Sequence, residues 1–268
     1  MTRNTLIQHI RSKKNYLCVG LDTDPRKVPR SLQSFPDPVF EFNKRIIDAT
    51  LTHCVAYKIN TAFYEVSAAA GWESMQKTAD YIPSTHFKIA DAKRGDIGNT
   101  ASLYARAFFE TLSFDAVTVA PYMGEDSVRP FLEYEDKWTI LLGLTSNSGA
   151  ADFELQTCGD GLLFESVIRK ASQWGTIENL MFVIGATQAE WFSHVRKFAP
   201  DHFYLVPGVG AQGGSMKEIS LKALNKDIGL LVNASRAIIY AGSGEDFAEK
   251  AAKVAAGYAS EMAGYLEN

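Results

Sequence analysis

The sequence predicts an α/β protein, a single (β/α)8 TIM barrel spanning residues 1–268. Short apolar runs alternate with longer amphipathic segments from one end of the chain to the other. About eight such units fill 268 residues, and ~250 residues is typical of this barrel. No Pro/Gly/Ser-rich linker divides the chain. A doubly wound open sheet is the alternative, because periodicity reveals the units and not whether the sheet closes.

The strand-like runs are, in order, YLCVGL (16–21), CVAYKI (54–59), FKIADA (87–92), AVTVAP (116–121), TILLGL (139–144), MFVIGA (181–186), FYLVPG (203–208) and IGLLVN (228–233). Most are continuously apolar, the pattern of parallel strands covered on both faces. Helical periodicity separates them. In VFEFNKRIIDATL (39–51), Phe42, Ile46 and Ile47 form one stripe, and LFESVIRKASQW (163–174) and AEWFSHVRKF (189–198) repeat that spacing. NTASLYARAFFETL (99–112) also reads as helix. The tail EDFAEKAAKVAAGYASEMAGYL (245–266) is a strong helix former with Ser243 as its expected N-cap. The four tryptophans, Trp72, Trp138, Trp174 and Trp191, are expected at contacts between helices and barrel.

Composition restricts the function classes. The chain is 46% hydrophobic and 22% charged, with a net charge of −4. No Lys/Arg-rich run offers a nucleic-acid or anionic-membrane surface, so an anionic ligand has to be held locally. No apolar stretch reaches membrane-spanning length. The start, MTRNTLIQHIRSKKNY, lacks the apolar core and cleavage site of a signal peptide. Cys18, Cys54 and Cys158 have no metal-type spacing, and two lie in apolar runs, which suits free thiols in a reducing cytoplasm.

In a barrel, functional groups gather at the C-terminal ends of the strands. Those ends present Asp22, Lys58, Asp91 with Lys93, Ser146, the glycine loop PGVGAQGG, and Asn233-Ala-Ser-Arg236. Within IADAKRGDIGNT (89–100), strand periodicity turns Asp91 and Lys93 to one face, and Lys58 can reach the same mouth. Asp96 follows the strand-breaking Gly95 and projects from a loop. A salt-bridge network closing the rim would produce the same cluster. Gly208, Gly210 and Gly213 spell a dinucleotide fingerprint, but the following strand ends in Asn233 without an acidic residue. Loops after the seventh and eighth strands form a common phosphate site in barrels, with Gln212 and Arg236 as side-chain donors. A flexible turn beside a surface arginine is the plainer reading. His9, His53, His86, His194 and His202 are scattered and read as boundary or surface residues.

Asp91 through Thr100, D-x-K-x-x-D-I-G-N-T, resembles the signature of the orotidine 5′-monophosphate decarboxylase family. LDTDP at Asp22, YKIN at Lys58, LTSNSG, PGVGAQGG and Arg236 extend the likeness over nearly the whole chain, and the 24–38 segment is similar to the longer bacterial subgroup. The resemblance implies cofactor-free decarboxylation of the nucleotide to uridine 5′-monophosphate, with no metal ligands. Lys93 would be the proton donor to C6 of the pyrimidine, and Asp91 would sit against the substrate carboxylate. Asp22 and Lys58 would hold the ribose hydroxyls. Ser146 would contact the ring, and Gln212, Arg236 and the loop of Gly208 and Gly210 would grip the phosphate. Asp96 and Thr100 would reach into a neighbouring subunit's site, making a homodimer the functional unit. Ser148 departs from the subgroup, which often has Pro there. Barrel relatives that work on Mg²⁺ place an acidic ligand after the second strand, where this chain has Lys58. A non-catalytic sensor of phosphorylated metabolites would keep Gln212 and Arg236 without needing Asp91 and Lys93 together.

Overall fold

The computed structural model describes residues 1–210 and 214–267. All eight expected strands form. They are β1 (Leu17–Gly20), β2 (Ala56–Asn60), β3 (Phe87–Arg94), β4 (Ala116–Val119), β5 (Trp138–Leu144), β6 (Leu180–Ile184), β7 (Phe203–Pro207) and β8 (Leu230–Ala234). Each pairs in parallel with its sequence neighbours. The sheet then closes on itself, β1 pairing β8 with Leu17 opposite Val232 and Cys18 opposite Asn233. That closure excludes the open-sheet alternative.

The continuous apolar runs are explained by burial on both faces. Every residue of β1, β4, β6 and β8 is buried, with the barrel interior on one side and the helical layer on the other. Helices follow the amphipathic segments, as in Pro38–Thr50, where Phe42, Ile46 and Ile47 are the buried stripe. Its first turn is fixed by Asp37, whose side chain accepts from the Phe40 N–H, with Pro38 at the first helical position. Cys18 and Cys54 are buried thiols and Cys158 is exposed. Among the described residues, no helix is long and apolar enough to cross a membrane.

Three expectations are corrected. The 189–198 segment is not a full helix but a 3₁₀ turn, Ala189–Trp191, and one α turn, Phe192–Val195. Pro200 disfavours helical backbone at Ala199. Arg196 instead turns its guanidinium onto the carbonyls of Ala223, His202 and Gly229. The last helix starts at Phe247 with Asp246, not Ser243, in the capping position, and Asp246 pairs with Lys250 one turn on. Trp138 does not sit between helix and barrel. It begins β5 fully buried, edge-on to Phe87 of β3 and Phe203 of β7, and so plugs the N-terminal end of the barrel.

Candidate active site

The C-terminal mouth of the barrel holds a chain of alternating charges. Lys58, the third residue of β2, is 3% exposed and sends its Nζ to Asp22 Oδ1 (3.3 Å) and Asp91 Oδ2 (3.0 Å). Lys93 Nζ lies 2.5 Å from the other Asp91 oxygen. Burying an ammonium disfavours its charge, yet Asp22 and Asp91 more than compensate and raise the Lys58 pKa above its ordinary value. Burial likewise pushes the Asp91 carboxyl up, but Lys58 and Lys93 outweigh it and hold Asp91 well below the usual carboxylate range. Lys58 and Asp91 are therefore both ionised at neutral pH.

The route by which β3 brings Asp91 and Lys93 together differs from the regular alternation the sequence suggests. Ala90 pairs with Val117 of β4, but the next paired residue is Arg94, opposite Val119. Lys93 sits in this bulge with φ +46°, the left-handed region that non-glycine residues rarely adopt. Thr118 of β4 spans the gap: its hydroxyl accepts from the Lys93 N–H (2.9 Å) and donates to Asp91 Oδ1 (3.0 Å). Sequence reading passed over Thr118, a single hydroxyl inside an otherwise apolar run.

Beneath Asp22, a buried polar network fixes the turn after β1. Thr23 donates to Asn43, Asn43 donates to the Tyr64 hydroxyl, and Tyr64 donates to the Leu21 carbonyl. No local sequence signal links these residues. Lys58, Asp91 and Lys93 line a cavity of about 250 Å³ together with the apolar Leu142, Val183 and Leu205 and with Ser146. The Ser146 loop is anchored by Glu154, which accepts from the Thr145 N–H (2.7 Å) and hydroxyl (2.8 Å). Gly185, at the end of β6, lets this loop approach closely, since a Cβ there would fall 2.7 Å from the Ser146 nitrogen.

The remaining expected site residues are spread around the mouth. Arg236 is exposed at the start of the helical turn Arg236–Ile239 after β8 and has no ion-pair partner among the described residues. Gly208 and Gly210 have φ of +103° and +78°, which only glycine adopts readily, and a Cβ on Gly210 would meet the Tyr258 hydroxyl at 2.5 Å. Gln212 lies outside the described residues. Asp96 is half-buried and accepts from the Ile97 N–H, while Thr100 is exposed on the helix Gly98–Arg106. Neither bonds to the charged array within this chain. Arg94 has a structural place, paired with Glu65 and lying over the Tyr104 and Phe108 rings.

A closed parallel barrel carrying a lysine–aspartate array at its C-terminal mouth defines the class: a (β/α)8-barrel enzyme. Comparison with known proteins narrows it. The family described as orotidine 5′-phosphate decarboxylase / HUMPS matches residues 15–251. The orotidine 5′-phosphate decarboxylase of Phocaeicola vulgatus is 54% identical over 266 residues, covering 98% of both chains. Among solved structures, the Leishmania donovani OMP decarboxylase is 35% identical with a TM-score of 0.82, over 97% of this chain and 99% of that one. The Leishmania donovani UMP synthase is 36% identical with a TM-score of 0.83, over 95% of this chain and 56% of that one. The chain belongs to the orotidine 5′-phosphate decarboxylase / HUMPS family.

Proposed function

We propose that the protein decarboxylates orotidine 5′-monophosphate to uridine 5′-monophosphate in pyrimidine biosynthesis, with Lys93 protonating C6 of the ring beside Asp91. The observation that carries this reading is the alternation Asp22–Lys58–Asp91–Lys93, whose last three members line a cavity shared with the apolar Leu142, Val183 and Leu205. Breaking the bond from C6 to the carboxylate releases CO₂ and leaves an electron pair in the ring plane, where the ring cannot delocalise it. A fixed cation beside that developing charge stabilises the transition state, and such electrostatic stabilisation is usually the largest catalytic effect. The Lys93 ammonium supplies the charge and then transfers a proton to C6. At ~4 Å and an effective dielectric of about 20, one such contact contributes about 4 kcal/mol. Asp91 keeps the ammonium in place and faces the departing carboxylate.

Asp22 and Lys58 would hold the ribose hydroxyls and Ser146 the pyrimidine. Gln212, Arg236 and the backbone of Gly208 and Gly210 would take the phosphate, an assignment supported by the exposed Arg236 guanidinium, without an ion-pair partner among the described residues, in the loop after β8 that neighbours the positive-φ glycines after β7. A homodimer in which Asp96 and Thr100 complete the neighbouring site is supported by large apolar side chains left exposed around them. Ile97 is 57% exposed and Leu103 46%, and Met123, 46% exposed, lies against Gly95. A single domain over residues 1–268 suits the closed barrel, and the three unpaired thiols suit a cytoplasmic location.

The buried Lys58 ammonium, bound by both carboxylates, disfavours a divalent cation between them and separates this reading from Mg²⁺-dependent chemistry on the same barrel. The test is to follow the absorbance of orotidine 5′-monophosphate with and without EDTA. Turnover to uridine 5′-monophosphate and CO₂ that EDTA leaves unchanged is expected. No turnover, or turnover abolished by EDTA and restored by Mg²⁺, overturns the proposal.

A further inference from the structure

We propose that Thr118 is a positioning residue for this reaction, its hydroxyl holding the Lys93 backbone in the bulge of β3 and tying it to the Asp91 carboxylate. The inference rests on the reading of Lys93 as the proton donor. A hydroxyl carries one proton and two lone pairs. The Lys93 N–H can only donate and the ionised Asp91 can only accept. The two contacts, 2.9 and 3.0 Å, therefore fix the direction of both bonds and use the single Thr118 proton on Asp91. Thr118 is 1% exposed, so water cannot readily replace it.

Its place in the sheet explains what it supplies. β3 advances four residues, from Ala90 to Arg94, while β4 advances two, from Val117 to Val119. The regular ladder resumes where the Ala120 N–H donates to the Arg94 carbonyl at 2.8 Å. Across the gap the Thr118 side chain takes the N–H that a regular partner carbonyl would have taken. It does so at Lys93, the residue whose positive φ makes its backbone intrinsically unfavourable. The same oxygen of Asp91 receives both the Thr118 hydroxyl and the Lys93 ammonium. Backbone and side chain of Lys93 are thus referred to one carboxylate. Valine has nearly the shape of threonine and suits a strand equally well, so the hydroxyl can be removed without a cavity.

The experiment compares wild type, Thr118→Val, Thr118→Ser and Lys93→Ala for kcat, KM, binding of uridine 5′-monophosphate and thermal unfolding. Thr118→Val should lose about 10- to 100-fold in kcat, the value of a hydrogen bond to a charged group, with KM and nucleotide binding within about 3-fold of wild type. Thr118→Ser, which keeps the hydroxyl, should recover most of that loss. An unchanged kcat in Thr118→Val, or equal losses in the Val and Ser variants, overturns the inference. If Thr118→Val does not fold, Thr118→Ala takes its place, and kcat no lower than that of Thr118→Ser is the contradicting result. Lys93→Ala separates the two levels: if it retains turnover, the proton-donor reading fails. If it is inactive while Thr118→Val matches wild type, only the role of Thr118 fails.

Discussion

Replacing Lys58 with methionine keeps an unbranched side chain one atom shorter and removes one buried charge from the centre of the array. Its two contacts, 3.3 Å to Asp22 and 3.0 Å to Asp91, each correspond to about 5 kcal/mol of attraction at an effective dielectric of about 20. Much of that offsets the cost of taking the ammonium out of water, several kcal/mol for a buried ion. Removing only the cation leaves Asp22 and Asp91, 17% and 12% exposed, without the charge between them. Breaking a buried pair in this way costs about 3–5 kcal/mol. With roughly 2–4 °C per kcal/mol for a chain near this size, the melting temperature should fall by about 10 °C. Thermal unfolding followed by circular dichroism at neutral pH measures it, and the double variant Lys58→Met/Asp91→Asn supplies the coupling. Because the amide introduced by Asp91→Asn carries no stranded charge, the double variant should lose less than the sum of the two single losses. An unchanged melting temperature in Lys58→Met, or strictly additive losses, would refute the claim that the array is held by mutual compensation of buried charge.

Acidification provides a second check. Lys58 and Lys93 depress the Asp91 pKa below its unfolded value of about 3.9, so its stabilisation is complete above about pH 4 and is lost as pH falls below that. The stability gap between wild type and Asp91→Asn should therefore be constant near neutrality and narrow in acid; a gap that widens in acid contradicts the sign. Arg236→Ala should raise KM by about 10- to 100-fold, as for one charge-assisted contact, and leave the melting temperature unchanged because the side chain is exposed and has no ion-pair partner among the described residues. An unchanged KM removes Arg236 from the phosphate site. Equal mixing of inactive Asp96→Ala and Lys93→Ala chains should restore about one quarter of full activity, since half the dimers are hybrids with one intact site of two. No recovery, with subunit exchange demonstrated separately, counts against the shared site.

The barrel was largely legible in the sequence because a parallel strand buried on both faces leaves a continuous apolar run, and eight such runs occur in order. Closure was not, because it depends on β1 meeting β8 across more than 200 residues of chain, a pairing with no local signature. Asp91, Lys93 and Lys58 stood out as charges at the ends of apolar runs, where burial is costly unless they are paired or used. The bulge that places Lys93 was hidden, since nothing in Asp-Ala-Lys forbids a regular strand. Thr118 was hidden for a related reason: threonine is at home in any strand, and only the register of β3 against β4 turns its hydroxyl onto Asp91. The last helix shows the limit of capping signals. Ser243 is a good cap by type, but the turn closing from Gly244 to Phe247 delays the helix, and Asp246 is taken up by Lys250.

The measurement that bears most directly on the central claim is single-turnover decarboxylation of orotidine 5′-monophosphate by Lys93→Ala, with uridine 5′-monophosphate binding determined on the same preparation. Lys93 is half exposed, so its loss should leave the fold and nucleotide affinity largely intact while conversion to product falls to near zero. Turnover at the wild-type rate in that variant would contradict the account.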